Sequence, residues 1–230
     1  MTTLNYNYSE YNPTFTFKAK DPLSALSHFI GFLCAIILTP ILLIHASSKG
    51  ASTATMISLG IFMLSMILLY GASTSYHSFN ISNKTNKILK KIDHMSIFVL
   101  IAGSYTPLCI TTISKPLGTN LLIAIWAIAI VGMAFKFLWV TCPKWVSSVM
   151  YIAMGWACII ALPELYSGLG FNGFIWLFAG GLFYTIGGII YALKLNIIPI
   201  HIEGFGNHEL FHLFVLAGSL CHFMVMFLFV

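Results

Sequence analysis

The chain has 230 residues, of which 59% are hydrophobic and 7% are charged, and its mean hydropathy is +0.92. A soluble domain carries about 25% charged side chains, so this chain lacks the groups needed to cover a surface in water. The composition excludes a disordered chain, a fibre, a secreted disulfide scaffold and a nucleic-acid binder. The five cysteines form no CxxC pair and are typical of apolar packing residues. The sequence therefore predicts a polytopic membrane protein whose partners are membrane lipids, without nucleic acid.

The chain begins with a polar and aromatic segment, and long apolar stretches follow it. Residues 1–22 have no apolar core of the kind found in signal peptides, so we expect an aqueous N-terminal tail. Residues 23–230 are predicted to form one domain, an all-α integral membrane bundle of seven transmembrane helices, because apolar runs of about 20 residues span a bilayer. The predicted helices cover 23–45, 53–77, 93–113, 120–140, 147–166, 173–193 and 208–230.

The distribution of lysines predicts how this bundle is oriented. The sequence contains no arginine, so only lysines have to be counted. With seven helices, only Lys49 and Lys115 fall on one face of the membrane. Positive residues favour the cytoplasmic side, so the N-terminus is predicted to be inside and the C-terminus outside, opposite to a G-protein-coupled receptor. The lysines that fall on the cytoplasmic face are Lys18, Lys20, Lys84, Lys87, Lys90, Lys91, Lys136, Lys144 and Lys194.

Polar side chains recur at one depth of this predicted bundle. Ser73 and His77 are four residues apart near the end of the second helix, Asp93 is at the predicted start of the third, and His208 and His212 are four apart at the start of the seventh. Residues four apart share one face of a helix. Because the second helix runs inward and the third and seventh run outward, all five residues are expected at one level.

Three histidines and one carboxylate at one level predict a catalytic metal site. Three neutral imidazoles that leave an open position are a common zinc arrangement, and zinc makes water a nucleophile at neutral pH. Asp93 would hold and deprotonate that water, and Ser73 would hydrogen-bond the water or a substrate oxygen. We therefore predict Zn²⁺ on His77, His208 and His212, although copper, nickel and iron also bind imidazole.

Other interpretations of these residues stay open. A single intramembrane histidine is commonly a hydrogen-bonding core residue, and a helix-contact role is predicted for His28. His94 points about 100° away from Asp93 around the helix and is the weaker candidate. Residues 208–212 also match the HExxH pattern of zinc proteases, in which Glu209 would be the general base. In the alternative interpretation, Glu209 only complements the helix dipole.

Five segments resemble the hemolysin III branch of the progestin and adipoQ receptor family. They are Ser-Ala-Leu-Ser-His at 24–28 with Gly31, Ser-Thr-Ser-Tyr-His at 73–77, Lys-Ile-Asp-His at 91–94, the run 100–107 and the run 207–219. The resemblance implies a seven-helix bundle with its N-terminus inside. It also implies zinc on His77, His208 and His212, with Asp93 reached through a water and Ser73 beside the site.

The resemblance also suggests an activity, because this family is grouped with alkaline ceramidases among membrane hydrolases. It implies hydrolysis of a lipid-like amide or ester that enters from the bilayer. One alternative is a non-enzymatic membrane sensor or a pore-forming cytolysin in which zinc is structural. A second alternative is an intramembrane HExxH metalloprotease.

Overall fold

The computed structural model describes residues 19–193 and 205–230, and these residues form helices and connecting turns without a β-strand. In chain order the helices are α1 (Pro22–Ser48), α2 (Thr53–Ser78), α3 (Asn83–Thr111), α4 (Leu117–Leu138), α5 (Lys144–Gly155), a 3₁₀ helix (Trp156–Ala161), α6 (Leu162–Leu193) and α7 (Asn207–Phe229). The predicted all-α class is confirmed.

Helix α3 begins ten residues earlier than predicted, at Asn83 instead of 93. The Ser82 hydroxyl accepts a hydrogen bond from the backbone N–H of Thr85 at 3.2 Å and so caps this extension. The prediction was wrong here because the extension carries four lysines and lacks the apolar run that marks a membrane span. Asp93 therefore lies about three turns inside α3, not at its start.

The region predicted as the fifth and sixth helices forms one helical stretch of 50 residues, Lys144–Leu193. Pro163 and Glu164, near the end of the predicted fifth helix at 147–166, lie in the first turn of α6, where proline is tolerated. Inside α6 only Gly170 leaves helical geometry, with φ 65° and ψ 178°, a conformation that favours glycine. The Lys144 ammonium lies 4.1 Å from the centroid of the Tyr191 ring, so the two ends of the stretch contact each other.

Six helices in the described part of the chain are long and apolar enough to cross a membrane, with Lys144–Leu193 as one of them. The predicted count of seven stays a prediction. The outer surface is apolar: Leu138 is 82% exposed, and Ile37, Ile44 and Val131 are also largely exposed. An apolar surface of this extent needs hydrocarbon around it, as in a bilayer.

Helix packing brings the end of α2 and the start of α7 to one end of the bundle, which we call the site end. Helix α1 packs against α2 and α7, α3 against α2 and α4, and α6 against α5 and α7. The backbone N–H of Asp21 donates to the His77 carbonyl at 2.9 Å, so the start of α1 lies at this end. The Tyr151 hydroxyl donates to the His94 carbonyl at 3.0 Å and ties α5 to α3 at the same end.

Most of the predicted N-terminal tail, residues 1–22, lies outside the described residues, as do Lys18 and Lys194. In the part of the tail that is described, Lys20 donates from Nζ to the Tyr76 carbonyl at 2.6 Å. Lys20 and Asp21 therefore rest on the last turn of α2.

Candidate metal centre

His77, His208 and His212 come together at the site end as a group that could hold a metal ion. One ring nitrogen from each lies within 4.8 Å of the others. Their four-residue spacing places His208 and His212 on one face of α7, with ring centroids 4.6 Å apart. His77 reaches this face from α2 and is only 2% exposed. The three residues therefore meet at one depth of the bundle, as the sequence predicts.

One pair of facing nitrogen atoms has nearly the separation found between two ligands of one metal ion. Nε2 of His77 lies 3.1 Å from Nε2 of His208. Zinc–nitrogen bonds of about 2.0–2.1 Å in a tetrahedral site place two such nitrogens about 3.3 Å apart. The His77 and His208 rings therefore fit two ligand positions of one ion with little movement.

Oxygen atoms on α1 and just before it orient two of the three rings. Nδ1 of His77 lies 2.8 Å from Asp21 Oδ2 and donates to it when Asp21 is ionised. Nδ1 of His212 donates to the Ser24 carbonyl at 3.2 Å. Both bonds fix the tautomer in which Nε2 keeps its lone pair, as is usual for metal-binding histidines. The donor set therefore fits a borderline ion such as zinc.

Asp21 and Ser24 have no site role in the sequence-based prediction. Asp21 precedes the first apolar stretch and falls in the predicted tail. The depth argument applied to Asp93 also applies to Asp21, because the start of the first helix lies at the same level. Partial burial lowers the pKa of the neighbouring Lys20, whose Nζ lies 3.7 Å from Asp21 Oδ2.

Glu209 connects the start of α7 to α1. Its Oε1 accepts from the Ser24 hydroxyl at 2.6 Å, and its Oε2 accepts from the Gly206 backbone N–H at 2.9 Å. Both carboxylate oxygens are thus engaged at a helix N-terminus, where negative charge is favourable. This arrangement favours the helix-terminus interpretation of Glu209 over that of a general base.

Asp93 and Ser73 lie beside the histidine group but are not part of it. Asp93 is 9% exposed, Ser73 is 1% exposed, and the Ser73 hydroxyl is a hydrogen-bonding neighbour of the Asp93 carboxyl group. Both side chains line the same cavity as His208 and His212. The Asp93 and Ser73 side chains and two of the three histidines therefore border one space.

This cavity extends from the histidines into the bundle between α3, α5, α6 and α7. Its volume is about 160 Å³, and apolar cavities of about 150 Å³ admit molecules such as benzene. Beyond the polar end, apolar side chains such as Leu108, Leu165 and Phe178 line it. The arrangement suits a ligand with an apolar chain and one polar group.

His28 and His94 also line the cavity, and neither belongs to the group of three. The His28 ring stacks on His212 with centroids 3.6 Å apart and planes 8° apart. Within the described residues, neither ring nitrogen of His28 has a hydrogen-bond partner. The predicted helix-contact role of His28 agrees with this stack. Its place in the cavity wall was missed, although its four-residue spacing from Ser24 points to that face of α1.

Known proteins resemble this chain over most of its length. A family model described as haemolysin-III related matches residues 17–223. The chain is 41% identical to the "Hemolysin-3 homolog" of Bacillus subtilis (strain 168) over 209 residues, which are 91% of this chain and 93% of that protein. It is 39% identical to "Hemolysin-3" of Bacillus cereus over 203 residues, 88% of each chain.

A more distant relative is human. The chain is 26% identical to the "Monocyte to macrophage differentiation factor" of Homo sapiens over 170 residues, which are 71% of this chain and 66% of that protein. This similarity agrees with the wider family placement expected from the sequence motifs. The match of the family model and the two bacterial relatives show that this chain, a multi-pass protein of the cell membrane, belongs to the haemolysin-III related family.

Proposed function

We propose that this protein is a zinc-dependent membrane hydrolase that cleaves a lipid-like amide or ester. The observation that supports it most is the meeting of His77, His208 and His212 at the polar end of an apolar cavity, with the Asp93 carboxyl group in the same wall. A non-enzymatic structural site would not need a buried carboxyl group facing an adjoining cavity.

Each residue has a distinct task in this proposal. His77, His208 and His212 hold the ion, which supplies Lewis acidity and an acidified water when bound. Asp93 takes the proton from the attacking water and returns it to the leaving group. The Ser73 hydroxyl donates its one proton to the Asp93 carboxylate and orients it. It is free to donate to the substrate oxygen once Asp93 has taken the proton from the water. The apolar cavity holds the acyl chain and excludes bulk water.

We also propose seven membrane spans with the N-terminus inside. A straight helix of 50 residues would be about 75 Å long at 1.5 Å per residue, whereas the hydrocarbon core is about 30 Å thick. The contact between Lys144 and Tyr191 and the break at Gly170 support two antiparallel spans in this stretch. The site end, which includes Lys20, Lys136 and Lys144, is then cytoplasmic.

Metal content and turnover test the proposed activity together. Purified wild-type protein is expected to hold about one zinc per chain, as three-histidine sites do, and the His208→Ala, His212→Ala double variant none. His45→Ala is the matched control, because His45 is near the other end of α1. A panel of ceramides and acyl esters should then show turnover by the wild type and by His45→Ala, and none by the double variant. A metal-free wild type would contradict the proposal.

A cytolytic function is the second candidate, and the names of two bacterial relatives favour it. Erythrocyte lysis by wild type and by His77→Ala separates the two functions. Lysis that is equal for both proteins, together with no turnover by either, would favour cytolysis. If only the wild type lyses erythrocytes, lysis would be a consequence of lipid hydrolysis.

A further inference from the structure

A basic groove opens at the site end, next to the metal centre but separate from it. It lies between α3, the connection from α4 to α5, and the last turn of α6. The side chains that line it and carry the argument are those of Lys90, His94, Thr141, Lys144, Ser147 and Tyr191. None of the three grouped histidines lines it.

Lysines make the described wall of this groove positively charged. Lys90 from α3 and Lys144 from α5 contribute ammonium groups to its wall. A third lysine lies behind the wall: Lys136 is 0% exposed and donates from Nζ to the Ser147 hydroxyl. No carboxylate among the described residues lines the groove, because Asp93, three positions after Lys90, faces the neighbouring cavity. Such a groove attracts an anion.

Hydrogen-bond donors reinforce this preference. Helix α5 begins in the groove wall at Lys144 and has no side-chain cap, so its first-turn N–H groups and dipole favour a negative charge there. Nδ1 of His94 is buried and has no hydrogen-bond partner among the described residues. A neutral imidazole with its proton on this nitrogen has a hydrogen bond left to donate to a ligand.

The position of the groove indicates a lipid. Trp145 lines the groove and is 58% exposed, and Trp139, at the end of α4, is 50% exposed. Exposed tryptophans are typical of a membrane interface. Basic pockets between transmembrane helices bind the head groups of anionic lipids. His94, Ser147 and Tyr191 also line the apolar cavity, so the groove and the cavity share a wall.

We propose that this groove binds the phosphate group of an anionic membrane lipid. Lys90 and Lys144 provide the charge, and His94 and the start of α5 provide the hydrogen bonds. The proposal does not depend on metal binding or hydrolysis.

Binding of three probes to the full-length protein in detergent tests it: short-chain phosphatidic acid, short-chain phosphatidylcholine and inorganic phosphate. Phosphatidic acid is expected to bind saturably, and the other two at least tenfold more weakly. Lys90→Gln and Lys144→Gln should each weaken phosphatidic acid binding about fivefold, since one lysine near anionic lipid contributes about that factor. His94→Phe should weaken it as well.

Lys91→Gln is the matched control, because Lys91 is on the same helix and packs over the Phe137 ring, outside the groove. It should bind as the wild type does. The His208→Ala, His212→Ala variant should also bind normally, which separates this proposal from the hydrolase proposal. Equal affinity for both lipids, equal affinity for free phosphate, or unchanged binding by folded, monodisperse Lys90→Gln and Lys144→Gln proteins would each overturn it.

Discussion

Asp21 holds His77 in the orientation that a metal ligand needs, because Asp21 Oδ2 lies 2.8 Å from His77 Nδ1. The carboxylate belongs to the residue before α1, and the imidazole to the last turn of α2. Three parts of the chain therefore have to meet before the site is complete, because the other two histidines are on α7.

Replacement of Asp21 should weaken metal binding without removing a ligand. Asp21→Ala is expected to lower zinc affinity about 10–100-fold, the usual effect of losing the carboxylate partner of a ligating histidine. Competition with a chromophoric chelator measures this affinity. Glu164→Gln serves as the control, because the Glu164 carboxylate accepts from the Ser114 backbone N–H and is not part of the histidine group. Equal affinities for Asp21→Ala and wild type would contradict the role given to Asp21.

Asp93→Asn should separate metal binding from turnover. The amide is nearly isosteric but cannot accept a proton, so we expect a full complement of metal and a loss of turnover of about 10²–10⁴-fold. Ser73→Ala should reduce turnover less. Metal analysis and a lipid-hydrolysis assay on the same preparation provide both values. An active Asp93→Asn protein would exclude the proposed proton transfer.

Glu209→Gln distinguishes the hydrolase from an HExxH protease. We expect metal content and lipid turnover to be retained, because both Glu209 oxygens bond to groups at the start of α7 and on α1. Thermal stability should fall. A double-mutant cycle of Glu209→Ala with Ser24→Ala, which removes both partners, should give a coupling of about 1.5–3 kcal/mol, typical of a hydrogen bond to a charged group. Loss of all activity with unchanged stability would favour the protease.

Zinc should stabilise the folded protein. A ligand that binds only the folded state raises stability in proportion to the logarithm of its concentration. The Tm of wild-type protein should therefore rise as free zinc is increased and fall with a chelator. The Tm of the His208→Ala, His212→Ala variant should not change. A wild-type Tm that is independent of zinc would contradict a metal centre in the folded state.

Cysteine accessibility tests the seven-span topology. In a cysteine-free background that retains the fold, a membrane-impermeant thiol reagent applied from outside should label Lys49→Cys and Ser167→Cys. Lys87→Cys should be labelled only after the membrane is opened. Ser167 is exposed and is three residues before the break at Gly170. Labelling of Ser167→Cys only from inside would contradict two spans in Lys144–Leu193.

The sequence predicted the residues that meet, but not their supporting contacts. The spacing of His208 and His212 and the directions of the helices were enough to place His77 at the same level. For Asp21 and His28 the sequence indicates only the depth and the helix face, because the groups that they contact depend on the packing of α1 against α2 and α7. The polar start of α3 was missed because hydropathy detects lipid contact and not helix formation.

The His77–His208 contact spans 131 positions of the chain, which has a consequence for synthesis. A ribosome adds about 5–20 residues per second, so His77 is made roughly 7–25 seconds before its partner on α7. During that interval the first helices are made, and His77 is present without the two histidines of α7. An ion that binds all three histidines can therefore bind only after α7 has been made, and a chain truncated before α7 would lack two of the three ligands.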